Sequence, residues 1–262
     1  MNNYTQRASH IVETYHQRNP ESKPEYFRYH RYRFTAVLAQ VLTLPGKRVL
    51  EIGVNPGHFT EMLVDAGYEV SGTDLFPEHR ADVWQRLGVE VRRWNIDNEP
   101  SPYDEAAFDI IVFSEVIEHL ANPPLEALEL FHTMLKPNGH LIITTPNQFY
   151  FKSRMRTLFD VLFWQPFDHT DEFNRWAQLR SEARYYTHSR LFTIPQLMWM
   201  ANESAYTVAQ HSYHSAYEWV GLEWPRVLKV PHRWIVKAFI AVVSAIFPGA
   251  RSMIMIVMKK NS

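Results

Sequence analysis

The chain has 262 residues, with 27 lysines and arginines against 28 aspartates and glutamates. That length suits one α/β domain with additions, and a net charge of −1 supplies no global basic field to draw the protein onto nucleic acid. There is no cysteine, which excludes thiol catalysis, cysteine-held metals and disulfides and suits a reducing, cytoplasmic setting.

Met1 to Pro20 is polar and charged, without the apolar core of a signal peptide. Tyr26–Phe34 alternates aromatic and basic residues and runs into an apolar stretch, which predicts one or two helices over residues 1–45. Stems packed on a core with solvated charges, or a contact to an anionic substrate, explain that alternation better than nucleic acid does. At residues 49–59 a short apolar run ends in Glu51, and a loop with Gly53 and Gly57 leads to an amphipathic segment, Phe59 to Ala66. This reads as strand, tight turn and helix, the front edge of a nucleotide-binding unit. A dinucleotide fingerprint needs glycine at 53, 55 and 58, and Asn55 and His58 break it. What stands instead is E-x-G-x-x-x-G, from Glu51, Gly53 and Gly57. Asn55 is expected to tolerate a left-handed backbone there. The second apolar run, Tyr68–Thr73, ends in Asp74, about 20 residues on, where an acid grips ribose hydroxyls.

The E-x-G-x-x-x-G loop resembles motif I of the class I S-adenosylmethionine-dependent methyltransferases. Further matches follow in order: a third strand over 89–94, Ile96 and Asp97, a fourth apolar strand over 108–113, and Glu115-Val116-Ile117-Glu118-His119-Leu120. A helix from about Pro124 to Leu135 is expected to stop at Lys136-Pro137-Asn138-Gly139, before a fifth strand over 140–145. The resemblance implies a Rossmann-like α/β fold. It has seven mostly parallel strands with an antiparallel last strand, helices on both faces, an N-terminal helical cover over 1–45, and the main domain over 46–262. It implies S-adenosylmethionine as cofactor, bound by Glu51, Gly53, Asn55, Gly57, Asp74, Leu75, Ile96, Asp97 and Ser114. In that family Asp74 meets the ribose, Asp97 the adenine amine, and Ile96 packs on the ring.

Residues 148–187 form an aromatic-rich insert with interspersed arginines, emerging from a strand end where ligands bind. It is expected to bind the methyl acceptor, and its arginines suit a phosphate or carboxylate. Thr193 and Pro195 predict a helix start. Tyr206–His211 and Ser252–Lys260 read as strands six and seven. Between them, residues 228–247 predict an amphipathic helix. Ile235, Val236, Phe239, Ile240, Val243, Ile246 and Phe247 share one stripe, with Arg233, Lys237 and Ser244 roughly opposite. That stripe serves packing on the sheet and peripheral contact with a membrane's inner face equally well.

Helical spacing would put Glu115, Glu118 and His119 on one face. E-x-x-E-H here is similar to the ubiquinone-pathway O-methyltransferases and the small-RNA 3′-end methyltransferases. There two carboxylates and histidines bind a divalent ion, and His188 stands at the matching downstream place. The resemblance thus makes Glu115, Glu118, His119 and His188 candidate ligands for Mg²⁺ or Mn²⁺. His119 as a catalytic base, with Glu115 orienting donor or acceptor, needs no metal. The leading expectation is an O-methyltransferase acting on a sugar or lipid-linked cell-envelope glycan. The alternatives are a quinone precursor or an RNA 3′ end, with metal, or a SAM-binding regulator that has lost catalysis. The partner expected is a small-molecule, glycan or lipid-linked acceptor; no pattern sets an oligomeric state.

Overall fold

Along Phe108–Ser114 nearly every side chain is buried, but successive residues serve opposite layers. Ile111 and Phe113 join Leu50, Leu141, Ile143 and Ile256; Ile110 and Val112 join Val49, Ile142, Met255 and Val257. Side chains of a strand alternate with a period of two, so a continuous apolar run marks a sheet covered on both faces. The computed structural model describes residues 3–18, 24–165, 188, 190–219 and 231–261. It contains one sheet of seven strands: β1 Arg48–Ile52, β2 Glu69–Asp74, β3 Glu90–Arg93, β4 Phe108–Ser114, β5 Leu135–Pro146, β6 Tyr206–His214 and β7 Met253–Lys260. Their order is β3-β2-β1-β4-β5-β7-β6. β1 to β5 pair in parallel, and β7 runs antiparallel to both β5 and β6. The expected sheet with its antiparallel last strand is therefore present. Strand order reverses between β1 and β4, and open α/β sheets bind ligands beyond the strand ends at such a point.

One face is covered by α1 Asn3–Arg18, α2 Pro24–Val41 and α3 His58–Asp65. Phe34, Val37, Leu38 and Val41 of α2 share a cluster with Val49, Ile110 and Ile142 of the sheet. The N-terminal helices thus build a core layer as well as standing over the strand ends. The other face is covered by α5 Pro124–Met134 and α7 Ile194–Glu203, through Leu128, Phe131, Leu197 and Met200. The predicted start of α7 holds: Pro195 lies in its first turn, and the Thr193 N–H donates to Gln196 Oε1 at 3.0 Å. α4 Ala81–Leu87 packs Val83 and Trp84 beside the β1 loop. α6 Phe151–Leu162 and α8 Pro231–Ile246 complete the set of α-helices among the described residues.

Two expectations need correction. Lys136–Gly139 is not a turn between helix and strand: α5 ends at Met134 and β5 begins at Leu135. Asn138 takes φ 62° and the register with β4 shifts between Phe108 and Ile110, as in a bulge. Asp109 fixes this start, accepting from Lys136 Nζ at 2.7 Å and from the Lys47 and Arg48 N–H groups at 2.9 Å. The second correction concerns α8. Its apolar stripe does not pack on the sheet: Ile235 is 69% exposed, Phe239 54% and Ile246 62%. Ser244, expected on the polar side, is buried with Ile240, where Ile240 meets Trp219 and the Ser244 carbonyl accepts from Arg251. Residues 166–187 of the insert, with Phe167, Phe173, Trp176, Tyr185, Tyr186, Arg175, Arg180 and Arg184, lie outside the described residues, as do 228–230.

Candidate active site

Beyond the carboxyl ends of β1, β2 and β4 opens a cleft of 1740 Å³. Its inner half is the part expected to hold the donor. Gly53 turns the chain at φ 79°, its N–H donating to Thr73 O at 2.8 Å. A Cβ there would lie 2.7 Å from Val116 Cγ2, so no other residue fits without a shift. Asp74 ends β2 with both oxygens anchored: Oδ2 accepts the Asn55 N–H at 3.1 Å and Oδ1 the Phe76 N–H at 3.0 Å. Leu75 and Ile96 line the same half. Asp97 lines it too, but its carboxylate already accepts the Ala121 and Asn122 N–H groups, each at 3.0 Å. Glu51, Asn55 and Ser114 border a smaller side cavity behind it. Glu51 is buried and accepts from Thr60 Oγ1 at 2.6 Å; burial lifts its carboxyl to about 8, against the lowering effects of Thr60 and Arg33. Ser114 Oγ meets Thr144 Oγ1 at 2.7 Å.

Two positions differ from expectation. Gly57, at φ 97°, borders neither cavity: a Cβ there would press on Val83 and Trp84 at 3.0 Å. It makes room for α4 rather than for a ligand. Asn55 is absent from the residues with positive φ, so the left-handed turns fall on the two glycines. Asn55 serves through its N–H to Asp74 and its side-chain amide to Phe76 O at 3.2 Å.

The outer half gathers around Glu115. This residue leaves β4 at φ 58°, and Ile117–His119 form a 3₁₀ turn. Glu115, Glu118 and His119 therefore do not share an α-helical face. Glu118 turns inward, wholly buried, and accepts from Thr145 Oγ1 at 3.1 Å. Burial first, and Glu115 second, hold its carboxyl well above the usual range. Glu115 instead accepts from the Tyr217 hydroxyl at 2.6 Å, and its Oε1 is buried without a hydrogen-bond partner among the described residues. The ligand atoms of Glu118, His119 and His188 lie within 4.8 Å of one another, with the two imidazoles edge to face. Glu115 drops out of the candidate metal set. One carboxylate and two imidazoles suit Mn²⁺ or another transition ion better than Mg²⁺.

Sequence reasoning missed Arg33 and Tyr217. Arg33 is buried between the two cavities, and its Nε has no hydrogen-bond partner among the described residues. Burial opposes its charge, but the Glu115 carboxylate and a hydrogen bond with Tyr26 favour it, and the guanidinium stays protonated. An anionic group in the inner half would complete it, which is how the donor's carboxylate fits these residues. The aromatic–basic alternation of α2 was the signal for Arg33; nothing marked Tyr217. Tyr217 stacks on Tyr29 at 5.0 Å, and burial, then Glu115, raises its phenol so that it stays a donor. Lys152 and Arg156 of α6, with Arg190, give the outer rim a cationic edge.

Comparison with known proteins agrees with this geometry. A family model describing a methyltransferase domain matches residues 26–211. A ubiquinone biosynthesis O-methyltransferase of Coxiella burnetii is 29% identical over 157 residues, 54% of this chain and 65% of the relative. That of Paraburkholderia phymatum is 34% identical over 109 residues, 40% of this chain and 47% of the relative. A probable S-adenosylmethionine-dependent methyltransferase of Mycolicibacterium smegmatis is 33% identical over 107 residues, 40% of each chain. The chain thus spans less than two thirds of the length of these relatives. A SAM-dependent methyltransferase from Archaeoglobus fulgidus superposes with TM-score 0.58 at 19% identity, covering 90% of this chain and 97% of that one. One from Mesorhizobium loti gives 0.58 at 12% identity, covering 87% and 98%. At such identities the likeness is one of fold.

Proposed function

Because the chain belongs to the methyltransferase-domain family, as an S-adenosylmethionine-dependent enzyme of the class I fold, we propose that it methylates a hydroxyl oxygen on a lipid-linked sugar or glycan. The observation that carries the acceptor class is the outer half of the cleft. His119 lines this cleft together with the aromatic residues Tyr29, Phe149 and Tyr150 and the cations Lys152, Arg156 and Arg190. A phosphate or diphosphate link between sugar and lipid matches that rim.

S-adenosylmethionine supplies a methyl group on a positively charged sulfur, poised for in-line displacement. Asp74, oriented by its two backbone N–H bonds, would accept from the ribose hydroxyls. Arg33 and Ile96 line the same cleft, where Arg33 would pair with the methionyl carboxylate and Ile96 would pack on the adenine. His119 takes the proton of the acceptor hydroxyl as oxygen bonds to the methyl carbon and the carbon–sulfur pair returns to sulfur. An imidazole titrates near neutrality, which suits that role.

A second reading follows from the Glu118–His119–His188 cluster and the names of the relatives: metal-assisted O-methylation of a quinone precursor. A bound cation would acidify a phenol hydroxyl, and His119 would then act as ligand rather than base. One experiment separates the two. The purified protein is incubated with methyl-tritiated S-adenosylmethionine and fractionated envelope lipids, with and without a chelator. Chelator-insensitive label in the lipid-linked glycan fraction is expected. Label in prenylated phenols, abolished by chelator and restored by Mn²⁺, selects the second reading.

A further inference from the structure

We propose that the exposed apolar faces of α6 and α8 form one surface that docks on an anionic lipid bilayer, beside the mouth of the cleft. A surface helix ordinarily turns its apolar side to the core and its polar side to water. α6 does the reverse. Lys152, Ser153, Arg156, Thr157 and Asp160 line the cleft, and no residue of the helix is buried. Met155, Leu158, Phe159 and Leu162, one stripe by spacing, are 44–63% exposed. α8 repeats the pattern: Ile235, Phe239, Val242 and Ile246 face outward, opposite buried Ile240 and Ser244. The Phe151 and Phe239 rings meet edge to face with centroids 5.5 Å apart, so the two outward faces adjoin. Large apolar side chains left exposed on two adjoining helix faces mark an interaction site.

Charge identifies the occupant. α6 carries Lys152, Arg154 and Arg156 against one acid, Asp160; α8 carries Arg233 and Lys237 and no acid. The two helices together thus carry five cations against one acid, in a chain whose net charge is −1. An anionic bilayer attracts basic residues at its surface while apolar side chains enter the headgroup boundary. A second copy of the chain on a two-fold axis would set the same cationic helices against each other. α6 has 12 residues and α8 has 16, and no described helix is long and apolar enough to cross a membrane, so these helices lie on the surface. The expected contact through residues 228–247 alone becomes a two-helix platform. The polar inner side of α6 is part of the cleft wall, so an acceptor with a lipid tail reaches the site without leaving the bilayer.

Vesicle co-sedimentation tests this with no methyl acceptor present, so its outcome is separate from the acceptor assignment. The protein should pellet with phosphatidylglycerol–phosphatidylcholine vesicles at least tenfold more than with phosphatidylcholine alone, and 0.5 M salt should weaken it. Leu158→Ser with Leu162→Ser, and separately Ile235→Ser with Ile246→Ser, should each reduce binding tenfold or more. Both variants should keep wild-type melting and S-adenosylmethionine affinity, since none of these side chains is buried or lines the cleft. Wild-type protein that stays in solution with anionic vesicles overturns the proposal. So does a dimer in solution that these substitutions convert to monomer, which would assign the surface to self-association.

Discussion

Asp74 and Asp97 are both carboxylates at the donor end of the cleft, yet their hydrogen bonds give them different weights. Asp74 is held by the Asn55 N–H of the loop after β1 and the Phe76 N–H of the loop after β2, at the strand ends that line the cleft. Asp97 ties its segment to a distant turn, at Ala121 and Asn122. Asp74→Ala should therefore weaken S-adenosylmethionine binding about tenfold to hundredfold by calorimetry, the range for hydrogen bonds to a charged group. Each substitution frees two backbone N–H groups, so Asp74→Ala and Asp97→Ala should both lower the melting temperature. Equal affinities for wild type and Asp74→Ala would remove Asp74 from the ribose site. His119→Ala should cut transfer about 10²–10⁴-fold with donor affinity nearly unchanged, the usual share of a general base. A variant with full turnover would show that another group takes the proton.

At the scale of elements, the β1–loop–α3 unit couples its own titration to stability. Burial raises the Glu51 carboxyl from 4.5 to about 8, so the folded protein holds its proton at neutral pH. A carboxyl whose folded pKa lies above its unfolded value contributes stability that is whole below about 4.5 and is lost as pH rises through about 8. Glu51→Gln keeps the shape and removes the titration. Its melting temperature should fall less than wild type between pH 5 and pH 8.5, and parallel curves would refute the coupling. Legibility followed periodicity. β1, β2, β4 and β7 are short apolar runs, and the nearly continuous apolar run of β4 already implied two covered faces. The 115–119 segment was misread as helix because no residue type announces φ 58° at a glutamate. Lys136–Gly139 carries true stop residues, but Asp109, far away in sequence, draws them into β5. Tyr217 reaches Glu115 across a separation of 102 residues, which no local pattern encodes.

At the scale of the whole molecule, the donor site was legible because its residues sit on consecutive strand ends. The acceptor side draws on α2, α6 and the chain after β6, which meet only in the fold. The same fact makes residues 1–45 more than a cover. α2 sends Arg33 into the cleft from one side and buries Phe34, Val37, Leu38 and Val41 on the other, against Val49, Ile110 and Ile142. Phe34 is 4% exposed and stacks on Phe59 of α3 with centroids 5.9 Å apart. Phe34→Ala should cost about 3–5 kcal/mol of stability, the range for a buried ring replaced by a cavity. Saturating S-adenosylmethionine should recover part of the loss, since a ligand that binds only the folded state stabilises it by mass action. Removing residues 1–45 altogether would uncover one whole face of the sheet. That chain should fail to melt cooperatively by circular dichroism and should not bind S-adenosylmethionine. A truncated chain with a sharp melt and intact donor affinity would show that the core ends at the sheet and that Arg33 is dispensable.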